Sequence, residues 1–409
     1  MSGIHGQAIG HLVRRGIQAA TNPNEQRIQQ LQVLAQKYEE AGPAMEVKPW
    51  EVLPVVITGI VFMLLLASIR YTVGEVIATL AMIEQPKTTI IEGARYSIDE
   101  SPDAPLEKAE KVRLIDEEVI VIKEDPITSN IRKTIRHLHS IGGFAARWRG
   151  LSISVFYHMA HAFVANLISA FVFGGLLFGM PAYIISSLLL ARIHMTWTHI
   201  MISKPSQKPW YKRIGTEKKI WKVLLLPSFV FAASQQLTVA LPTALFFVLG
   251  LHRSEDFALS NDLSTADRWT LGLKFASIPI TALAVALLIL LPASVTLTRI
   301  EASLLPEEEE TVVNFDRTLN GAVSASITLG GTSPGKSLFI EAWRSFDRAA
   351  RIRVIKLYAK LLLIQFVVAI VGMQLMIGEI FILGRERLVT IAQAGSAQLQ
   401  LAAMGVEQN

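Results

Sequence analysis

Long apolar blocks with almost no charge alternate with charged segments along this chain, and this pattern constrains the fold most. The first block runs from Leu53 to about Ile83, and its uninterrupted apolar part ends at Ile69. A helix needs about 20 apolar residues to cross the hydrocarbon core of a bilayer. Only 18% of the 409 residues are charged, against about 25% in soluble domains. The sequence therefore predicts an integral membrane protein.

Further apolar blocks predict five more spans, at about residues 155–178, 181–202, 223–250, 271–291 and 357–384. Gly179 and Pro181 separate the first two of these into a tight hairpin, because glycine ends helices and proline opens them. Pro227 and Pro242 leave open whether residues 223–250 form one span or a broken helix. The predicted fold is an all-α, polytopic membrane helix bundle with about six transmembrane helices.

The polar segments lie before, between and after these spans. The predicted organisation is a polar, partly amphipathic helical tail (1–52), a first transmembrane helix (53–83), a loop (84–150), transmembrane helices two to five (151–298), a second loop (299–356), a sixth transmembrane helix (357–384) and a C-terminal tail (385–409). The first loop begins acidic, which suits a protein partner, and then becomes basic. Its two β-rich runs, Thr88–Ile91 and Glu118–Ile122, are long enough only for a small hairpin.

Lysine and arginine clusters lie before the second span, after the third and before the sixth. With six spans all three clusters fall on one side of the membrane, and positive charge marks the cytosolic or matrix side. The large loops are therefore predicted to face the cytosol or the mitochondrial matrix, with both termini on the opposite side. The membrane itself, endomembrane or mitochondrial, stays open. Because this clustering accounts for the net charge of +5, no nucleic-acid partner is predicted.

The segment 341–357 has the pattern of a basic amphipathic helix. One face would carry Trp343, Phe346, Ala350, Val354 and Leu357, and another Arg344, Arg348 and Arg351. Such a helix can lie flat on a bilayer and contact anionic lipid headgroups. The alternative is a helix that packs against protein, and its position next to a span favours the lipid interface.

Residues 330–337 read GGTSPGKS and match the phosphate-binding loop pattern G-x-x-x-x-G-K-[ST]. A functional phosphate-binding loop also needs a parallel sheet with a metal-binding acid on another strand. The second polar loop is too short to supply one, so a flexible loop is the simpler interpretation.

Four polar side chains lie inside predicted spans. Gln235 and Gln236 could line a solute path, or they could join helices through amide hydrogen bonds. Lys274 and Glu379 lie at similar depth near the non-cytosolic ends of the fifth and sixth spans. Charges at this depth either pair with each other or extend to the headgroups.

Four histidines lie near the cytosolic ends of the second and third spans. His158 and His161 share one helical face, whereas His194 and His199 are five residues apart and point in directions about 140° apart. Neutral imidazole is a good ligand for zinc, copper and haem iron. One interpretation is a metal or haem site with His158, His161 and either His199 or His194 as ligands. The other is that these histidines meet only water and headgroups.

Three segments of the chain resemble a group of uncharacterised multi-pass membrane proteins of filamentous fungi. They are LPASVTLTRIEASLLPEEEETVVNFDR (residues 291–317), EAWRSFDR (residues 341–348) and the stretch 195–203. The resemblance covers the spans and the second loop, and it implies a eukaryotic membrane. It carries over no activity and no site residues.

Three function classes follow from these patterns. A solute transporter or channel-like protein is first, a non-catalytic scaffold or assembly partner is second, and a histidine-ligated metalloprotein is third. No catalytic residues and no bound cofactor are predicted, and the chain has no cysteine, which excludes thiol nucleophiles and cysteine-held metals. The sequence therefore favours a role other than catalysis.

Overall fold

The structure, a computed structural model, describes residues 49–86, 88–91, 120–123, 125–172, 179–215, 218–251, 264–319, 321, 323 and 334–383. Its helices are α1 (Pro49–Ile69), α2 (Ala78–Ile83), α3 (Ile131–Gly142), α4 (Leu151–Phe171), α5 (Gly179–Leu189), α6 (Ala191–Ile202), α7 (Lys218–Val248), α8 (Thr265–Val285), α9 (Leu291–Ser303), α10 (Pro334–Arg344) and α11 (Arg348–Leu383). Short π-helical segments, Arg70–Ile77 and Ala286–Leu290, join α1 to α2 and α8 to α9. Single 3-10 turns occur at Ile127–Ser129, Phe144–Trp148 and Trp210–Arg213.

The predicted all-α bundle is confirmed. Five helices are long and apolar enough to cross a membrane, namely Leu53–Ile83, Phe144–Phe171, Lys219–Val248, Thr265–Ser303 and Arg348–Ile382. The fourth predicted span is one continuous helix, α7, with Pro227 and Pro242 inside it. The possibility of a broken helix at that position is thereby resolved in favour of a single one.

The third predicted span is wrong as a single helix, because the chain breaks at Leu190. Leu190 has φ −94° and ψ 7°, and it separates the short apolar helix α5 from α6. A tight turn follows, in which the Ile193 amide donates to the Leu190 carbonyl at 2.9 Å. The side chains of α6 pack inside the protein along most of its length. Packing of α6 therefore overrides the uniform apolar pattern of residues 181–202.

The predicted small hairpin is confirmed. Strand β1 (Thr88–Ile91) pairs antiparallel with strand β2 (Ile120–Lys123), with Thr88 opposite Lys123 and Ile91 opposite Ile120. The acidic residues between the two strands lie outside the described residues, as do the predicted tails apart from residues 49–52. Helix α10 begins within the GGTSPGKS match, at Pro334. In the described part of the chain the β1–β2 pair is the only sheet, so the parallel sheet of a phosphate-binding fold is not seen there.

The chain divides into two compact units, and the smaller one has residues 49–67 and 363–383 as its described parts. Here α1 packs on α11 at Gly372, where an added Cβ would lie only 2.7 Å from the Phe62 ring. Large apolar side chains point outward on both helices, including Leu64 at 63% and Phe366 at 64% exposure. Apolar surface of this extent has no favourable contact with water, so these faces are lipid-facing.

The larger unit, residues 68–362, contains helices that are longer than a bilayer is thick. Residues 265–303 are helical throughout and would span roughly 58 Å at 1.5 Å per residue, against about 30 Å for the hydrocarbon core. The last turns of this 265–303 stretch are buried in protein, since every residue of 295–303 is inaccessible to solvent or nearly so. These last turns pack together with other parts of the larger unit, and we call the packed region the cap. Its described residues are 70–86, 125–150, 191–215, 293–319 and 334–361.

The cap has an apolar core made of two clusters of buried side chains, one around Leu138 and Ile300 and the other around Ile77 and Val354. Its side chains come from all the cap segments and include Ile77, Leu80, Leu138, Met195, Ile202 and Ile300, each no more than 2% exposed. Residues 70–83, the second half of the predicted first span, supply much of this core. Burial of each large aliphatic side chain contributes about 1.5–3 kcal/mol, so the cap is stabilised as a soluble domain would be.

The predicted flat helix 341–357 is wrong in two respects. The chain breaks after Arg344, where α10 ends, and starts a new helix at Arg348. The apolar side chains of the segment contact the cap core and not lipid, with Phe346 at 2% and Val354 at 0% exposure. The alternative of a helix packed against protein therefore holds for this face.

We predict the sidedness of the larger unit from these contacts. Lys208 donates to Glu308 at 3.4 Å, so single cysteines placed at Ser206 and Glu308 of this cysteine-free chain should be labelled from one side of the membrane. A cysteine at Ala266, at the start of α8, should be labelled only from the other side. Impermeant maleimide labelling of sealed vesicles measures this, and labelling of 206 and 266 from the same side would contradict the topology.

Candidate functional site

The candidate site is a set of buried polar groups around Glu301 of α9. The Glu301 side chain is completely buried, and both carboxylate oxygens have partners on α6. Oε1 lies 2.7 Å from Nδ1 of His194, and Oε2 accepts a hydrogen bond from the Thr198 hydroxyl at 2.6 Å. His194 and Thr198 are four residues apart, which places them on the same face of α6.

His199 completes the connection between α6 and α9. Its Nε2 lies 2.7 Å from the backbone carbonyl oxygen of Glu301, so three side chains of α6 hold one residue of α9. His194 and His199, which their spacing predicts to point about 140° apart, both contact Glu301, one at its side chain and the other at its main chain. Each hydrogen bond to a charged group is worth roughly 1.5–3 kcal/mol, so this contact is a strong joint between the two helices.

The other two predicted histidines have different surroundings. His161 is buried, and its Nε2 lies 2.8 Å from the Ser187 hydroxyl of α5. His158 is exposed, with its ring 5.6 Å from the Trp197 ring. The described residues include all four histidines and contain no group of three or more His, Asp or Glu side chains placed to hold a metal ion. The metal site stays a prediction from sequence, and elemental analysis of purified protein is its test.

A second buried polar contact lies where α4 begins. The Tyr71 hydroxyl donates to the Arg149 carbonyl at 2.9 Å and accepts from the Trp197 indole at 3.2 Å. Arg149 in turn donates to the carbonyl of Ser203, directly after α6. Gly150 has φ +77°, and a Cβ there would lie 3.1 Å from the Trp197 ring. Only glycine fits this position without strain.

Arg299, two residues before Glu301, is a buried cation that forms no ion pair within the described part of the chain. Its guanidinium donates to the Met82 carbonyl at 3.1 Å and to the Ser345 hydroxyl at 3.0 Å. It also lies over the rings of Phe315 and Phe346, at 5.3 and 5.6 Å from their centroids. Aromatic faces attract a desolvated guanidinium, so Arg299 joins α9 to two other segments of the cap, 70–86 and 334–361.

Glu84 organises the start of the first loop. Its carboxylate accepts hydrogen bonds from the amides of Ile127 and Thr128 at 2.6 and 2.9 Å, and from the Thr128 hydroxyl. Arg353 of α11 donates to the Glu84 carbonyl at 2.8 Å. Glu84 thereby connects the end of α2 with the 3-10 turn at Ile127–Ser129, about 40 residues later in the chain, and with the start of α11.

The basic segment after α6 contacts the acidic run after α9. Three ion pairs connect them, Lys204 with Glu310, Lys208 with Glu308 and Arg213 with Glu309. Lys204, through its hydrogen bond and its charge, holds the pKa of the exposed Glu310 carboxyl below its usual value. The first loop also contacts the segment after α9, because Nε2 of His137 lies 3.1 Å from the Val312 carbonyl oxygen. The basic clusters predicted on one side of the membrane therefore belong to segments that touch.

The polar residues predicted inside spans are placed as follows. Gln235 accepts a hydrogen bond from the Tyr183 hydroxyl of α5 at 3.1 Å, and Gln236 is half-buried on α7. Lys274 is half-buried on α8 in the larger unit. Glu379 belongs to the smaller unit and accepts a hydrogen bond from Thr58 at 2.6 Å. The solute path and the pairing of Lys274 with Glu379 stay predictions.

The sequence patterns did not predict the buried charged residues that join the segments of the cap. Glu84, Arg299 and Glu301 lie at the edges of the predicted loops, and none of them is among the predicted site residues. A signal was present for the last two, because Thr298-Arg299-Ile300-Glu301-Ala302 continues the apolar and small-residue pattern of the preceding helix. Charges embedded in such a pattern are typical of buried, paired groups.

Comparison with known proteins gives no assignment. No protein-family model matches the chain, and neither a curated protein nor a solved structure matches it. The resemblance to fungal membrane proteins therefore stays a prediction.

The Glu301 joint predicts a large loss of stability on truncation. Glu301→Ala should lower the free energy of unfolding by about 3 kcal/mol, because His194 and Thr198 lose their partner in a buried position. Glu307→Ala, an exposed acid nearby in the chain, should change it by less than about 0.5 kcal/mol. Thermal unfolding of both variants in the same detergent compares them, and equal midpoints would contradict the structural role of Glu301.

Gly150 predicts a second effect on stability. Gly150→Ala should cost about 1–2 kcal/mol, since the left-handed backbone is unfavourable for alanine and the new methyl group meets the Trp197 ring. Gly272→Ala, in α8 with open space around its Cβ position, should be neutral or stabilising. Unfolding midpoints of the two variants test this, and an unchanged Gly150→Ala would contradict the contact with Trp197.

Proposed function

We propose that this protein is a membrane scaffold that holds a rigid polar cap at one face of the bilayer and assembles a partner there. The observation that carries the proposal is the convergence of the polar segments 125–150, 203–213 and 304–317 onto one cluster of buried apolar side chains. Loops that only connect transport helices do not need a core of this kind. A scaffold does, because a binding surface is effective when its elements are held in place.

The polar groups near the membrane support the same role. His161, His194, His199 and Gln235 each have a protein partner within hydrogen-bond distance. Polar side chains of membrane proteins commonly join helices in this way. Groups already engaged in such bonds are poorly suited to bind a passing solute or a metal ion.

The cap is proposed to face the cytosol or the mitochondrial matrix. The support is its lysine and arginine content, which lies directly beside the spans. This proposal includes six membrane crossings, with α5 and α6 together making the return after α4. The short α5 and the turn at Leu190 then form a bent crossing whose cytosolic half is buried in the cap.

The acidic segment 92–119 is the proposed partner-binding element. It carries nine acidic and four basic residues, so it suits a partner with a basic surface. It starts and ends at the paired residues Ile91 and Ile120 of the hairpin. An insertion with adjacent ends can be exchanged without moving the cap, since loop length has little effect on stability.

Segment exchange tests the proposal. Replacing 92–119 by a short Gly-Ser linker should leave the thermal midpoint of the purified protein within about 2 °C of wild type. It should remove a partner that co-purifies with the wild-type protein in stoichiometric amount. A control of full length, with the nine acids changed to Asn or Gln, separates charge from length and should also lose the partner. A wild-type protein that purifies alone would contradict the scaffold role.

Proton transport is a second candidate, favoured by one observation. In the smaller unit Oε2 of Glu379 is buried and has no hydrogen-bond partner among the described residues, although the residue lies on an apolar helix of membrane length. Carboxyl groups in such positions are commonly functional. Reconstituted vesicles should then show a proton flux that Glu379→Gln abolishes and Thr58→Val retains in part. No flux above protein-free vesicles would exclude this candidate and leave the scaffold proposal intact.

A further inference from the structure

A groove on the cap is lined by apolar and basic side chains together. It encloses about 290 Å³ between the 3-10 turn after β2 and the first turns of α11. Its lining residues are Pro126, Thr128, Ser129, Ile131, Ala349, Ile352, Arg353, Lys356, Leu357 and Lys360. The volume suits a headgroup with the glycerol and the first methylenes of an acyl chain, rather than a whole lipid.

The groove carries three positive charges on one wall. Arg353, Lys356 and Lys360 follow each other at helical spacing, so they share one face of α11. Within the described residues none of the three forms an ion pair. Arg353 donates only to the main-chain carbonyls of Ala81 and Glu84. The positive charge of the groove is therefore left for a ligand.

Two described acids that act on Arg353, Glu84 and Asp347, already accept hydrogen bonds from backbone amides. Both carboxylate oxygens of Glu84 accept hydrogen bonds from Ile127 and Thr128. Asp347 caps α11, accepting from the Ala350 amide at 2.8 Å. Both acids act on Arg353 through space, whereas Lys356 and Lys360 are exposed. An anion entering the groove would meet two ammonium groups that form no ion pair with any residue the structure describes.

The position of the groove along α11 indicates where the anion comes from. Lys360 is the last charged residue before the uncharged run 361–378. Lysines at the end of such a run extend to the level of the lipid headgroups. The opposite wall is formed by Pro126 and Ile131, which offer an apolar surface beside the charges.

We infer that this groove binds the headgroup of one anionic phospholipid. The phosphate contacts Lys356 and Lys360, with Arg353 behind them, and the glycerol and first methylenes lie against Ile131 and Ile352. This mode differs from a helix lying flat on the membrane, since the apolar residues of 341–357 that face the cap remain in its core. The inference does not depend on the acidic segment or its partner.

Native mass spectrometry of the full chain tests the site. Protein in detergent is titrated with phosphatidylglycerol or, separately, with phosphatidylcholine. The wild type should retain one phosphatidylglycerol with at least about tenfold preference, and Lys356→Gln/Lys360→Gln should lose roughly 30-fold in affinity. The control Arg136→Gln/Lys212→Gln removes two exposed charges that do not line the groove, and it should stay within about twofold of wild type.

Two further arms decide between sources of the phosphate. Inorganic phosphate and soluble glycerophosphoglycerol, added at the lipid concentration, should not displace the bound lipid, because they lack the apolar contacts. Displacement by either would assign the groove to a soluble phosphate compound and overturn the lipid assignment. Equal retention of the two lipids, or equal loss in both double variants, would overturn the site itself. Both double variants alter exposed side chains, so their thermal midpoints should equal that of the wild type. Measuring these midpoints establishes that folding is retained.

Discussion

A carboxylate that is removed from water must find hydrogen-bond donors inside the protein, and Glu301 imposes this requirement on the larger unit. An uncompensated buried charge costs several kcal/mol, so α9 can be buried only where donors meet it. His194 and Thr198 of α6 supply these contacts, and His199 contacts the Glu301 carbonyl. The relative position of α6 and α9 is thereby fixed to within hydrogen-bond geometry, and the cap is built around that pair.

The cap follows from where these two helices end. Helix α6 ends at Ile202 and α9 at Ser303, so fixing the helices brings the segments that leave them into contact. Those segments form a short antiparallel pair with Ser203 opposite Thr311, reinforced by the ion pairs of Lys204, Lys208 and Arg213. The pairs of Lys204 and Lys208 are exposed and add little stability, whereas the pair of Arg213 with Glu309 is largely buried. Together they set the register of two segments already held close. A cap held in this way would keep the groove that we propose for a lipid at constant geometry.

Much of the fold could be predicted because lipid-facing helices have a simple requirement. The apolar blocks located the long helices, the β-rich runs located the hairpin, and the basic clusters belonged to segments that meet. The break at Leu190 could not be predicted, since no glycine or proline marks it and only the packing of α6 explains it. The burial of residues 341–357 against protein could not be separated from burial in lipid either. An apolar face has the same sequence pattern in both environments.

The candidate site was harder to predict for a physical reason. Glu301 and Arg299 follow a predicted span, and charges at such positions ordinarily extend into water. Their burial depends on donors more than 100 residues away in α6 and on the Met82 carbonyl. No local pattern encodes contacts of that separation. The four histidines were predicted as candidate metal ligands, and three of them contact serine, carboxylate or carbonyl oxygens of the protein.

Disulfide trapping between residues 203 and 311 tests most directly whether the segments after α6 and α9 are held together in the cap. Two backbone hydrogen bonds flank the pair of Ser203 and Thr311. The Lys204 amide donates to the Glu310 carbonyl at 2.8 Å, and the Val312 amide donates to the Ile202 carbonyl at 2.7 Å. Opposed residues in this position have Cα atoms about 4.5 Å apart, within the range of disulfides. Ser203→Cys/Thr311→Cys should therefore oxidise to an intramolecular disulfide in native membranes, whereas Ser206→Cys/Ala266→Cys should not. Failure of the first pair to link, with each single cysteine still reactive, would contradict the assembly of the cap around Glu301.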